Sequence, residues 1–270
     1  MNMEKTILSL SPSRISDFQQ CPQLYKFRAI DKLPERPGID AVRGSIVHLI
    51  LEDLYKVEKP QRSFEWATSD IFKYVENLLK EEPNIYCAID SNIDFPIVGE
   101  IEHDKEKIDS LISEIKILLA NYFQLEDPSK IEPDSTEELI EHILTDEIHL
   151  KGYVDRIDVS PQGWIRINDY KTGKSPKQNF ESKVLFQLKF YALVIYKKTG
   201  SLAKQLRLMY LKDSNILSYE PTLADLEITE QKIYSIAKQI NLSLTENVFN
   251  PTTSKLCDYC YFKKICPAFN

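Results

Sequence analysis

Two groups of residues in this 270-residue chain have types and spacings suited to chemistry. The first lies in GYVDRIDVSPQGWIRINDYKTG, residues 152–173. Alternate residues of a strand share a face, so Ile165, Ile167, Asp169 and Lys171 project together. A carboxylate and an ammonium group therefore leave the end of one apolar strand face. Asp155 comes from the preceding strand and is expected beside Asp169 across the hairpin. Two carboxylates and a lysine at strand ends can hold a divalent cation, which activates water and neutralises a phosphate under attack. Asp158 has the opposite parity to Asp155 and reads as structural or solvated. The second group is Cys257, Cys260 and Cys266, spaced Cys-x2-Cys-x5-Cys. A pair at two-residue spacing can chelate one metal or take two corners of a cluster. The expected fourth ligand is Cys21, which, like Cys266, precedes a proline. Cys87 has no partner nearby and reads as a small buried or surface residue. Spacing alone favours a tetrahedral zinc site. The TGKS at 172–175 is not a phosphate-binding loop, because that loop needs a glycine where Asn168 stands.

The elements that must position these residues are legible as periodicities. Ser11 is a helix cap, and Pro12 suits the first turn of a short helix in SPSRISDFQQCP. A longer helix is predicted over 41–58, with Ile46, Leu49, Ile50 and Leu54 as its apolar stripe. Ser63 to Glu82 and Lys105 to Leu125 show the same period. From Glu137 the pattern alternates, predicting three consecutive antiparallel strands with SPQG (160–163) as the second turn. A helix from Phe180 to Thr199, strands near 206–212 and 216–220, and a helix over 223–244 follow. Gln187 and Tyr191, four apart, share a helix face. The order predicts an α/β (α+β) fold with a central mixed sheet. It reads as one domain, 1–270: a mainly helical part (1–135), a core (136–246) and a cysteine tail (247–270) closing onto Cys21.

The net charge of −7 argues against a protein that coats nucleic acid by electrostatics alone. It leaves room for an acidic site filled by metal. No apolar run is long enough for a membrane span, and Met1 to Leu10 lacks a secretory pattern. The cytoplasm, where cysteines stay reduced, is the expected compartment.

Asp155…Asp169-Tyr170-Lys171 resembles the core motif of the PD-(D/E)XK nuclease superfamily. RGSIVH, residues 43–48, resembles the R-G-x-x-x-H motif of its RecB-like and Cas4-like branch, and Gln187 with Tyr191 resembles that branch's Q-x-x-x-Y motif. One N-terminal cysteine with a C-terminal Cys-x2-Cys-x5-Cys resembles the iron–sulfur staple of the AddB-type nucleases. The resemblance implies a restriction-endonuclease-like core and a metal-dependent DNA nuclease. An exonuclease on single strands or ends is the expected form. It implies that His48, Asp155, Asp169 and the Tyr170 carbonyl bind Mn2+ or Mg2+. Lys171 then acts on the attacking water and the phosphate, while Gln187 and Tyr191 position the DNA backbone or support Lys171. Arg14, Arg43 and Lys174 become candidate phosphate contacts. The resemblance also turns the preference at Cys21, Cys257, Cys260 and Cys266 from zinc to a 4Fe–4S cluster, shielded by Tyr259, Tyr261 and Phe262. Implied partners are DNA and a helicase or CRISPR adaptation proteins. The alternatives are a non-cleaving DNA-binding or scaffold subunit and a zinc-stapled structural protein. Many relatives carry Glu where this chain has Asp169. A further carboxylate from the helical half is not assignable beyond Glu52.

Overall fold

A computed structural model describes residues 7–98, 103–177 and 181–270. A three-residue strand, β1 (Leu8–Leu10), leads into α1 (Pro12–Gln20), which Ser11 caps by accepting the Arg14 N–H. Cys21 is the extended break between α1 and α2 (Pro22–Tyr25), and a π-helical stretch, Lys26–Ile30, follows. The helical part then runs through α3 (Ile39–Lys56), α4 (Phe64–Thr68), α5 (Ile71–Glu81), α6 (Tyr86–Ile89) and α7 (Lys105–Leu125). The single helix expected over 63–82 is two helices. Ser69 donates its hydroxyl back to Trp66 O and Asp70 leaves helical geometry, while the apolar spacing of Ala67, Ile71 and Val75 continues across the break.

The strands are β2 (Ser135–Thr145), β3 (Ile148–Val159), β4 (Ile165–Lys171), β5 (Gln205–Tyr210) and β6 (Asn215–Tyr219), with α8 (Glu181–Thr199) and α9 (Leu223–Glu246) between and after them. The expected start of α8 at Phe180 lies outside the described residues. The predicted SPQG turn joins β3 to β4, and its Gly163 has φ +80, where a side chain would strain the backbone. The pairs β2–β3, β3–β4 and β5–β6 are antiparallel, whereas β1–β3 and β4–β5 are parallel. The six-stranded sheet is thus mixed, as the element order implies.

Helices cover both faces. Ile15 and Phe18 of α1, Leu188 of α8 and Ile233 of α9 pack with Leu150, Ile167 and Leu208 on one side. Ile46 and Ile50 of α3, Val75 of α5 and Leu118 of α7 pack with Tyr170 and Met209 on the other. A third, small core joins Leu24 and Phe27 to Phe262 of the tail. No described helix is long and apolar enough to cross a membrane.

One feature of the register matters for chemistry. β2 runs along one edge of β3. On the other edge β1 pairs with residues 148–150 and β4 with 156–159. Residues 151–155 of β3 have no ladder partner on that edge, so the sheet is open between β1 and the end of β4.

Candidate active site

Asp155 sits at the upper end of this opening. Where the β3–β4 ladder stops, its Oδ2 accepts the Tyr170 backbone N–H at 2.6 Å. The carboxylate thus takes over from a strand carbonyl and ties the two strands as they diverge. Next to it, Asp169 is 1% exposed. Lys171 Nζ lies 2.6 Å from Asp169 Oδ2 and donates to Gln187 Oε1 at 2.9 Å. Gln187 Nε2 donates to Asp169 Oδ1 at 2.8 Å and reaches the Tyr191 hydroxyl at 2.9 Å. The amide of α8 therefore clamps both the acid and the amine of β4.

Tyr191 is buried and packs below Gly152, where an added Cβ would stand 2.7 Å from its ring. Of the two roles expected for Gln187 and Tyr191, this geometry matches support of Lys171. Tyr191 also lines the groove between α1 and α8.

His48 comes from α3. Its Nε2 is 3.0 Å from the Tyr170 carbonyl, and its Nδ1 is 3.5 Å from Asp155 Oδ1 and 3.6 Å from Glu137 Oε1. Glu137 on β2 faces the site from a left-handed backbone position, φ 46. Among the described residues, His48, Glu137 and Asp155 alone form a trio of such ligand atoms, all within 4.8 Å of one another. Glu137, on β2, is thus a further carboxylate beside Asp155, where one was expected from the helical half. Glu52 lines the same cleft but pairs with Lys56 at 2.7 Å. The signal for Glu137 was its place opposite Asp155 in the hairpin, which no motif marks.

The cleft is an electrostatic well. Burial and the neighbouring Asp155 push the Asp169 carboxyl up to about 6, although Lys171 and His48 oppose the shift. Burial works against a charged His48, but Asp155, Glu137 and Asp169 outweigh it and carry the imidazolium up to about 10. A carboxyl on Asp169 whose ionisation is opposed and a ring on His48 that seizes a proton mark a site short of positive charge. A divalent cation fits this donor set of carboxylate oxygens, a carbonyl and an imidazole.

A cation held by His48 would have to displace its proton, and the pH dependence follows. Apparent affinity for Mn2+ should rise by up to about tenfold per unit as pH increases toward 10. The dependence should steepen below about 6, where Asp169 is also protonated. Calorimetry in buffers of different ionisation heat should show proton release on binding; a pH-independent affinity with no release would remove His48 from the ligand set.

Beneath the cleft, Arg156 is fully buried. It bonds Glu126 and the Tyr55 hydroxyl, pairs with Asp158 at 3.0 Å and donates to the Tyr170 hydroxyl at 3.0 Å. This network holds Tyr170 by its ring while its carbonyl faces His48. It also accounts for Asp158, which is structural as its parity implied.

The candidate phosphate contacts divide. Arg43 is buried and paired with Asp40 and Glu114, which removes it from substrate contact. Arg14 donates to the Ser9 carbonyl at 2.8 Å. Lys174 is exposed.

The four expected cysteines line one pocket at the foot of α1. The Thr252 N–H points at Cys21 Sγ and the Ser254 N–H at Cys257 Sγ, each at 3.3 Å. All four thiols are partly exposed and unpaired. Burial pushes the Cys260 thiol up, and Cys257 and Cys266 add to the rise. Phe262 is buried against Phe27, at 5.1 Å between ring centroids. Tyr259, at 88% exposed, shields nothing, and Tyr261 turns toward Phe95. Cys87 is buried elsewhere and donates to the Asp94 carbonyl.

Comparisons with known proteins agree with this architecture. The chain is 25% identical to the Gene 69 protein of Mycobacterium phage D29 over 277 residues, covering 96% of each. It is 26% identical to the Gene 69 protein of Mycobacterium phage L5 over 300 residues, covering all of both. A solved structure of a candidate exonuclease from Eubacterium rectale is similar with a TM-score of 0.58 and 15% identity, over 95% of this chain and 87% of that one. At that identity the likeness concerns the fold. The family match runs nearly end to end, residues 9–267, and by it the protein belongs to the PD-(D/E)XK nuclease superfamily.

Proposed function

We propose that the protein is a Mn2+- or Mg2+-dependent deoxyribonuclease acting on single strands or DNA ends. The observation that carries this reading is the clamp at the end of β4, where Asp169, Lys171 and Gln187 are locked together beside Asp155, Glu137 and His48. A non-cleaving scaffold subunit has no need of such a buried, mutually strained set of charges.

The residues divide the work. His48, Glu137, Asp155 and Asp169, with the Tyr170 carbonyl, would hold one or two divalent cations. The bound metal would activate water and neutralise charge on the phosphate. Lys171 is charged, because Asp169 more than offsets the effect of burial on its ammonium. It therefore donates to a phosphate oxygen or orients the water and does not act as a base. Gln187 keeps Lys171 and Asp169 in register, and Tyr191 fixes the amide.

At the cysteines we favour a 4Fe–4S cluster. Tetrahedral zinc, with Zn–S near 2.3 Å, needs sulfurs roughly 3.8 Å apart. No three of the four Sγ atoms approach within 4.8 Å of one another. The wider spacing and the N–H donors aimed at sulfur support a bulkier cluster. The working setting would be the cytoplasm, with a helicase or CRISPR adaptation proteins as partners.

The test is digestion of end-labelled single-stranded DNA and blunt duplex, with Mn2+, Mg2+ or chelator. The expected result is metal-dependent loss of the single strand to short products. Intact substrate at every metal concentration would overturn the proposal.

A further inference from the structure

The opening in the sheet does not end at Asp155. It continues along residues 151–155 of β3 toward β1, as a groove floored by Lys151, Gly152 and Tyr153 and walled by Ser13 of α1 and Phe186 of α8. This groove and the catalytic cleft share Tyr153, Lys171, Val184 and Gln187 in their walls. Tyr153 therefore stands at the junction between the two.

Three observations single it out. Tyr153 is 59% exposed, although it lies two residues from the buried Asp155. It lines the same cleft as Asp155, the two Cα atoms roughly 6.6 Å apart along β3. Its cross-strand neighbour on β2 is Leu139, also exposed, so ring and alkyl group form one apolar shelf. No hydrogen bond or ring contact holds the Tyr153 side chain among the described residues. The groove beyond has a mixed lining: Ser11, Ser13 and Ser16 hydroxyls, Lys151, and His149 paired with Glu141 at 3.2 Å. That lining lacks the dense positive charge needed to grip a duplex backbone. It suits a strand held by its bases as much as by its phosphates.

We propose that Tyr153 is the stacking platform for the base next to the scissile phosphate, and that the groove from Tyr153 to α1 carries the adjoining nucleotides of a single strand. This rests on the nuclease reading above and deepens it. A phosphate bound between Asp155 and Lys171 brings the adjoining sugar and base over the shelf. A base inside a duplex has its faces covered by its neighbours and cannot lie on the ring. Selection for single strands or frayed ends follows from the shelf itself, without any sequence readout, because every base offers a π-face.

The test uses binding and turnover separately. With oligothymidylate and Mn2+, Tyr153→Ala should raise KM about tenfold while kcat stays within about twofold, and Tyr153→Phe should retain the parent KM. For binding without cleavage, Tyr153→Trp is placed in a Lys171→Ala background, with Lys171→Ala alone as the blank for the two native tryptophans. Oligothymidylate should quench the added emission, whereas an abasic strand of equal length and a blunt duplex should not. Equal quenching by the abasic strand, or an unchanged KM in Tyr153→Ala, overturns the platform while leaving the nuclease intact. If wild type cleaves nothing but the quenching pattern holds, the nuclease reading has failed and the base platform stands.

Discussion

Lys171→Met should lower the rate of phosphodiester hydrolysis by about a thousandfold, with the fold retained. Loss of one preorganised donor in a water-poor site costs roughly 100- to 1,000-fold, and Lys171 supplies both a donor and a full charge. Its ammonium carries three N–H groups. Gln187 takes one of them and Asp169 pairs with the charge, which leaves N–H capacity for the substrate. The stability effect should be smaller. Removing a partner from a buried ion pair is costly when the remaining charge persists. Here the remaining charge need not persist, because the Asp169 carboxyl already sits up near 6 with the lysine present. Without Lys171 it rises further and takes a proton at neutral pH. The melting temperature of the variant should therefore hold best at mildly acidic pH and fall as pH rises and Asp169 is forced to ionise. Mn2+ affinity should weaken by less than about tenfold: a cation must now displace the proton on Asp169, while His48, Glu137 and Asp155 are untouched. Single-turnover rates with calorimetric Mn2+ titration separate the effects. A rate within tenfold of wild type would exclude Lys171 from the reaction.

What could be read from the chain beforehand follows physical lines. The strand placing Asp169 and Lys171 on one face was visible because alternation is a property of consecutive residues. The same holds for the Gln187–Tyr191 pair, since a helix turn is a local distance. The mixed sheet followed from element order alone. Glu137 was not visible. Its backbone is left-handed, its chemistry depends on β2 pairing with β3 so that it stands opposite Asp155, 18 residues on (155 − 137), and no neighbour in sequence announces it. β1 was missed because three residues are too few to display a period. Arg43 misled for the opposite reason: a basic residue in a nuclease-like motif suggests phosphate, yet Glu114, distant in sequence, pairs with it. The break between α4 and α5 was hidden because its apolar residues keep their spacing while Ser69 and Asp70 turn the chain. Local periodicity survives in sequence, and pairings made across the fold do not.

Cys21→Ser or Cys257→Ser should abolish iron binding and lower the melting temperature by about 10–20 °C. Cross-linking Cys21 to Cys257 closes a loop of about 236 residues, which in the chain-entropy treatment is worth about 5 kcal/mol. That is a large part of the net stability of an ordinary domain, and a chain of this size shifts by roughly 2–4 °C per kcal/mol. The local structure shows little else to hold the tail. Its two segments are short 3-10 turns, Lys255–Tyr259 and Tyr261–Ile265, and Phe262 is their one buried residue. The pocket of the cysteines shares no lining residue with the catalytic cleft, so loss of the cluster acts on catalysis through the chain. The path is α1: Cys21 terminates it, and Ser11, Ser13 and Ser16 at its other end line the groove beside Tyr153. A loosened α1 should first raise KM for single strands and leave kcat nearly intact below the lowered melting point. Cys87→Ser, which removes a thiol bonded only to the Asp94 carbonyl, should keep full iron content. Elemental analysis, the melting curve and steady-state kinetics on the same preparations decide the matter. Stoichiometric zinc in place of iron would overturn the cluster, and an unchanged melting temperature in Cys21→Ser would overturn the staple.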